Sequence, residues 1–186
     1  MKTDLKIKLS RGFTLVELLV VVAIIAILSG VGLNSLTSAQ QKARDAKRKG
    51  DLKSISKALE AFLNDYGRYP TDINGQIAGC GTSDKPTTCS WGEAFKFNDK
   101  DNYYMTQLPK DPRSLQNYYY ESSDGSYYVL YARLENKRDG QIPKDAGGQY
   151  QVYLRTDNST ATDCGGLGCN WALSSSNVVN LETTNE

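Results

Sequence analysis

The chain contains no histidine. That absence removes the commonest general base and the commonest metal ligand together. Proline is scarce as well: there are five, and none precedes Pro70, so no ring of that kind breaks a helix in the first third of the chain. Charge is missing from residues 13–33 except at Glu17. Catalysis by carboxylates or lysine stays open on composition alone, but no convergent set of Asp, Glu or Lys stands out to carry it. These absences point away from an enzyme.

What is present is unevenly distributed. The net charge is only +1 over 186 residues. The first 12 residues hold Lys2, Lys6, Lys8 and Arg11 against Asp4 alone, and the remainder carries 18 basic and 20 acidic side chains. A positive leader followed by an apolar run sets a cytoplasmic N-terminus, with the rest of the chain outside the cytoplasm. Residues 13–33 are long enough as a helix to cross one hydrocarbon core of about 30 Å. A carboxylate in such a span costs about 2.5–3.5 kcal/mol, so Glu17 calls for a partner. A secretory signal would place small residues in an A-x-A-like pattern after the run, and Ser29-Gly30-Val31-Gly32 is a poor version of that. An uncleaved N-terminal anchor is the plain alternative.

The helical period continues past the apolar run. Ala39, Ala43, Ala46, Leu52, Ile55, Leu59, Phe62 and Tyr66 recur at spacings of three and four, the stripe of an amphipathic helix. Lys42, Arg44, Lys47, Arg48, Lys49, Lys53 and Lys57 occupy the opposite face, with Asp45 and Asp51 among them. Gly30, Gly32 and Gly50 weaken such a helix by about 1 kcal/mol each without stopping it, and Gly67 and Pro70 end it. Beyond it, residues 71–102 read as a loop holding Cys80 and Cys89, and Leu108-Pro109-Lys110-Asp111-Pro112 reads as a rigid turn. Tyr118-Tyr119-Tyr120 and Tyr127-Tyr128-Val129-Leu130-Tyr131, joined through Asp124-Gly125, read as a hairpin. Residues 149–155 alternate and supply a third strand. Tyrosine suits such a sheet, packing its ring while its hydroxyl edge stays wet. The stretch from Asp163 to Trp171 is a Gly-rich loop with Cys164 and Cys169, and the tail after Leu173 reads as mobile.

Gly12 followed by Phe13-Thr14-Leu15-Val16-Glu17 resembles the prepilin cleavage and methylation motif of type IV pilins and type II secretion pseudopilins, over about residues 8–33. Asn64-Asp65-Tyr66-Gly67-Arg68-Tyr69-Pro70-Thr71 and the Leu108–Pro112 turn resemble the major pseudopilin branch. The resemblance implies an α+β, pilin-like fold: a long N-terminal helix, transmembrane in its first half and amphipathic in its second, packed on a small antiparallel sheet. It divides the chain into a leader (1–12), a membrane or filament-core helix (13–33), an amphipathic helix (34–66) and a head (67–186). It implies that a membrane prepilin peptidase cuts between Gly12 and Phe13 and N-methylates Phe13. It also implies that Glu17 pairs with the Phe13 ammonium of a neighbouring subunit and so pins assembly register. Two buried charges that neutralise each other are tolerated where either alone is penalised.

The four cysteines fit two disulfides outside the cytoplasm. Local pairing, Cys80 with Cys89 and Cys164 with Cys169, is preferred, and the other two pairings stay open. A cysteine metal site does not match the usual spacing. The resemblance raises calcium near Asp157 and Asp163, but Cys164 and Cys169 stand where an Asp-rich ladder would, so the expectation is no cofactor. The basic residues between Lys42 and Lys57 offer a surface for nucleic acid or anionic lipid, for which nothing else in the sequence speaks; a solvated helix face or inter-subunit ion pairs is preferred. Asn158-Ser159-Thr160 matches a glycosylation sequon in form only. The expected role is therefore structural: a subunit held in the cytoplasmic membrane with its head outside, then assembled by an inner-membrane platform into a homo-oligomeric helical filament at the surface or in the periplasm. Of pilus and type II secretion pseudopilus, the sequence leans to the pilus. A membrane-anchored binding or hydrolase domain is the alternative of another class.

Overall fold

The computed structural model describes residues 12–82, 84–97, 102–158, 162–178 and 180–185, without the side chains of residues 29–35. The leader residues 1–11 and the Ser159-Thr160 half of the sequon lie outside the described residues. The fold is α+β: among the described residues, one helix, α1 (Leu15–Tyr66, 52 residues), is followed by ten short strands. The chain forms two compact units that part between Gln40 and Gln41.

In the first unit every described side chain from Phe13 to Leu28 is exposed, the large apolar ones between 47% (Val21) and 86% (Phe13). Among the described residues no helix is long and apolar enough to cross a membrane. The described apolar stretch of α1, from Leu15 to Leu28, would rise about 21 Å against a core of about 30 Å. The rest of the span expected over residues 13–33 runs into side chains outside the described residues.

The second unit is the head. Its helical portion turns Asp45, Arg48, Leu52, Ile55, Leu59 and Phe62 inward at alternating spacings of three and four. The alanines expected to lead this stripe are on the wrong side: Ala39, Ala43 and Ala46 are exposed. Counting back from Leu52 by the helical repeat reaches Arg48 and Asp45, so an ion pair occupies the buried face where the sequence suggested alanine. The helix stops at Gly67, which takes φ +70° and donates its N–H to the Leu63 carbonyl at 2.7 Å. A left-handed residue at this position is the usual use of glycine after a helix.

The region expected to be a loop holds strands. β1 (Asp72–Ile73) and β2 (Gln76–Gly81) pair antiparallel about Asn74 and Gly75, both at positive φ (51° and 77°). Asn-Gly is the preferred dipeptide of such a tight hairpin. β3 (Pro86–Cys89) pairs with β2; β4 (Phe95–Phe97) meets β2 through one parallel pair, Gly81 with Phe97, and carries β5 (Asn102–Met105) antiparallel. The tyrosine hairpin forms as expected from β6 (Tyr119–Glu121) and β7 (Val129–Ala132). Its third strand, however, is β9 (Trp171–Ser174). The expected strand over residues 149–155 shortens to β8 (Gln151–Tyr153), which pairs instead with β10 (Thr183–Asn185) in the tail. That part of the tail is therefore ordered by backbone pairing, which its Ser, Asn and Thr side chains do not advertise.

The core joins the helix to the sheets. Phe62 lies within 5.7 Å, centroid to centroid, of Phe95, Phe97 and Tyr104. Tyr118, Tyr120, Tyr128 and Tyr131 are fully buried, and their hydroxyls are spent inside rather than left wet. Tyr120 donates to the Pro70 carbonyl at 2.6 Å, Tyr131 to Glu121 at 2.9 Å and Tyr118 to Asp51 at 2.7 Å, and Tyr128 bonds Ser56 at 2.7 Å. Burial, and then the Asp51 carboxylate, push the Tyr118 hydroxyl well above the ordinary tyrosine range.

Gly50 is exposed in the helix and a Cβ built there meets nothing within 4 Å. Gly50→Ala is expected to stabilise the head by about 1 kcal/mol, raising Tm by about 2–4 °C. Calorimetry of the two proteins checks this, and a lower Tm in the variant contradicts it.

Candidate assembly site

The first unit offers an apolar helix surface and one acid. Thr14 stands just before α1, and Glu17 lies three residues on. The Glu17 carboxylate accepts the Thr14 backbone N–H at 2.8 Å and the Thr14 hydroxyl at 2.7 Å, while the Glu17 N–H donates to Thr14 Oγ1 at 3.2 Å. This is a capping box, in which the first and fourth residues satisfy each other's unpaired groups. The S/T-x-x-E pattern before an apolar run is its sequence signal, and the resemblance-based role for Glu17 passed over it. Gly12 and Phe13 precede the cap; both are exposed, and a Cβ at Gly12 meets nothing within 4 Å. The chain's own packing therefore gives no reason for glycine at that position.

The head is organised around Arg48, whose side chain is fully buried. Its Nε and Nη2 straddle Asp111 at 2.7 and 2.8 Å, the two-point geometry that a planar guanidinium suits. Nη1 reaches Asp45 at 2.7 Å and Glu135 at 2.8 Å, and Nη2 also donates to Gln116 at 2.8 Å. Arg44 adds a second fork onto Glu135, at 2.7 and 2.6 Å. Asp45 closes the arrangement by accepting the backbone N–H groups of Glu135 and Asn136 at 2.9 and 2.8 Å. Asp111 sits between Pro109 and Pro112, whose fixed φ angles hold the turn, and its Oδ1 also accepts the Arg113 N–H at 2.8 Å. Helix, proline turn and the loop after β7 are thus tied at one cation.

This changes the reading of the basic stripe. Lys47 pairs with Asp51 and Lys49 with Asp139, each at 2.6 Å. Lys49 also lies 5.8 Å from the Trp171 ring centroid. Arg44, Lys47, Arg48 and Lys49 therefore have carboxylate partners within the head, although Lys47 stays exposed, as do Lys42, Lys53 and Lys57. The nucleic-acid surface loses most of its charge by this.

Cys80 is bonded to Cys89 and Cys164 to Cys169. The first bridge ties β2 to β3. The second closes a short loop seated on the segment after the proline turn: a Cβ at Gly165 would lie 2.3 Å from the Leu115 carbonyl. Only glycine permits that approach, and φ +88° at Gly165 suits it as well. Asp163 turns back into its own loop and accepts the Gly166 N–H. Among the described residues no three His, Cys, Asp or Glu side chains gather as a metal site.

The family model for the prokaryotic N-terminal methylation motif matches residues 7–33, and that for type II secretion system (T2SS), protein G, matches residues 35–146, more than half of the chain. The chain belongs to the protein G family, among the pilins and pseudopilins. Among similar proteins, type II secretion system core protein G of Pseudomonas aeruginosa is 30% identical over 135 residues, 73% of this chain and 90% of the relative. The core protein G of Aeromonas hydrophila is 33% identical over 101 residues, 54% of this chain and 66% of that protein. Type IV major pilin protein PilA of Myxococcus xanthus is 37% identical over 65 residues, 35% of this chain and 30% of that protein. No solved structure matches the chain. Family members are structural subunits, and the chain is not an enzyme.

Glu135 shows how the cluster answers to pH. The Arg44 hydrogen bonds, and then Arg48, hold its carboxyl down from an ordinary 4.5 to about 2, against burial, which pushes it up. A folded value below the unfolded one stabilises the fold above about pH 4.5, and that stabilisation is lost as pH falls toward about 2. Melting temperature is expected to fall over that window in the native chain. Glu135→Gln is expected to melt lower at pH 7 and to fall less between pH 5 and 2.5; equal slopes would contradict the assignment.

Proposed function

We propose that the chain is the structural subunit of a helical, pilus-like filament, and that the filament is a type II secretion pseudopilus. The observation that carries the filament reading is the run of exposed apolar side chains from Phe13 to Leu28 with a single carboxylate in it. Such a surface needs cover, from lipid before assembly and from like helices after it. The protein G match over residues 35–146, which takes in most of the head, supports the pseudopilus over the surface pilus to which the sequence leans. The PilA relative keeps the pilus as the second reading.

In this reading the leader is removed by a prepilin peptidase between Gly12 and Phe13, and Phe13 is N-methylated. The unencumbered Gly12 supports this, since the enzyme rather than the chain then demands glycine. The subunit waits in the cytoplasmic membrane with its head outside, and an inner-membrane platform draws it into a periplasmic filament. Glu17 exchanges part of its hold on Thr14 for the Phe13 ammonium of a neighbour, and so sets register.

Three measurements test the proposal. Mass spectrometry of the mature chain is expected to find N-methyl-Phe13 at the start; a chain beginning at Met1 or beyond Leu28 defeats processing at this motif. Glu17→Gln, which keeps an oxygen for Thr14 but loses the charge, is expected to be inserted and cut yet to cut filament yield at least tenfold. Full yield would sink the charge pair while leaving the cap. Electron microscopy of sheared cells is expected to show no long fibres of this chain at native expression, and abundant ones would return the assignment to a pilus.

A further inference from the structure

A cavity of about 490 Å³ opens in the head between the Asn74-Gly75 turn, the turn bearing Trp91, the proline turn and the Cys164–Cys169 loop. Ligand pockets run from about 300 to 1,000 Å³, and this one has room for one or two sugar rings. Besides Gln116, which is spent on Arg48, three carboxamides line it: Asn74, Gln76 and Asn117. Among the described residues none of these three side chains has a hydrogen-bond partner. Each offers two N–H donors and a carbonyl acceptor, the complement of paired hydroxyls. Trp91 lines the same cavity, half-buried, its ring meeting Tyr118 edge to face at 5.7 Å.

The charge left over at the cavity is positive. Asp111 is spent on Arg48, and Asp163 is turned into its own loop. Lys110 has no carboxylate partner among the described residues, and Arg113 reaches Glu135 only at 3.5 Å while 55% of its side chain stays exposed. An ammonium and a guanidinium beside unspent amides and an indole suit a ligand that is polyhydroxylated, anionic and apolar on one face.

We propose that this cavity binds an acidic sugar of one or two rings. Its carboxylate or phosphate lies between Lys110 and Arg113, its hydroxyls on Asn74, Gln76 and Asn117, and the C–H face of a ring against Trp91. The site does not depend on which filament the chain builds. A nucleotide would also bring an anion and a flat ring. It would stack its base on the indole and leave most of the three amides unused, so the amides favour the sugar.

The test is NMR of the full ¹⁵N-labelled chain in detergent, reading the indole N–H signals of Trp91 and Trp171. Digalacturonate supplies the carboxylate arm, glucose 1-phosphate the phosphate arm, maltose the neutral control and AMP the nucleotide. One or both acidic sugars are expected to move Trp91 and not Trp171, saturating with a Kd of about 1 mM, and the arm that saturates identifies the anion. Maltose is expected to bind at least about tenfold more weakly. Lys110→Ala and Asn117→Ala change exposed residues, so the fold survives and the Trp171 signal reports it. Each is expected to weaken binding at least about fivefold. The proposal is overturned by no saturable shift with either acidic sugar, by affinity unchanged in both variants, or by tighter binding of AMP than of either sugar.

Discussion

The head is built around a guanidinium that water cannot reach. Taking Arg48 out of water costs several kcal/mol, and its partners recover that only if they are close, well aimed and sufficient in number. They are: two forked carboxylate oxygens from Asp111, single contacts from Asp45 and Glu135, and the Gln116 carbonyl. Those partners come from a helix, a proline turn and a loop far apart in sequence, so the arrangement is met only when all three are in place. An apolar side chain of similar volume could fill the space as stably. What it would not do is demand one orientation of the turn and one register of the loop. The cavity beside Trp91 inherits its walls from this demand, since the loop that lines it begins at the turn Arg48 holds.

The two units satisfy their surfaces in opposite ways. The head closes on itself, burying tyrosine hydroxyls, carboxylates and arginines with internal partners. The segment from Phe13 to Leu28 keeps its apolar side chains outward, and its side-chain hydrogen bonding is the cap formed by Thr14 and Glu17 at its start. Membership of the protein G family fits this contrast, because a subunit that polymerises through one element needs the other to be complete before it does so.

Much of this was legible in the residues. The helix, its end at Gly67, the tyrosine hairpin and the motif around Gly12 and Glu17 each rest on strong local signals: periodicity, a left-handed cap, Asp-Gly and a fixed spacing. The failures share a cause. The sequence suggests a solvated face or inter-subunit ion pairs for the charges around Asp45 and Arg48, although the helical repeat through Leu52 points to both as buried. The strands between Asp72 and Met105 are two to six residues long, too short for an alternation such as Phe95-Lys96-Phe97 to betray them, yet Asn74-Gly75 marked the first hairpin. β8 pairs with β10 rather than with β7 because β9, forty residues beyond the hairpin, takes that edge, and no local pattern reports so distant a pairing.

The cap on α1 has one more property. Every atom in it belongs to Thr14 or Glu17, downstream of the bond between Gly12 and Phe13. The proposed scission of that bond would leave the first turn of the helix untouched, so precursor and product would present the same nucleated helix. Trimming would then alter what the chain end carries without disturbing how the chain behind it is wound.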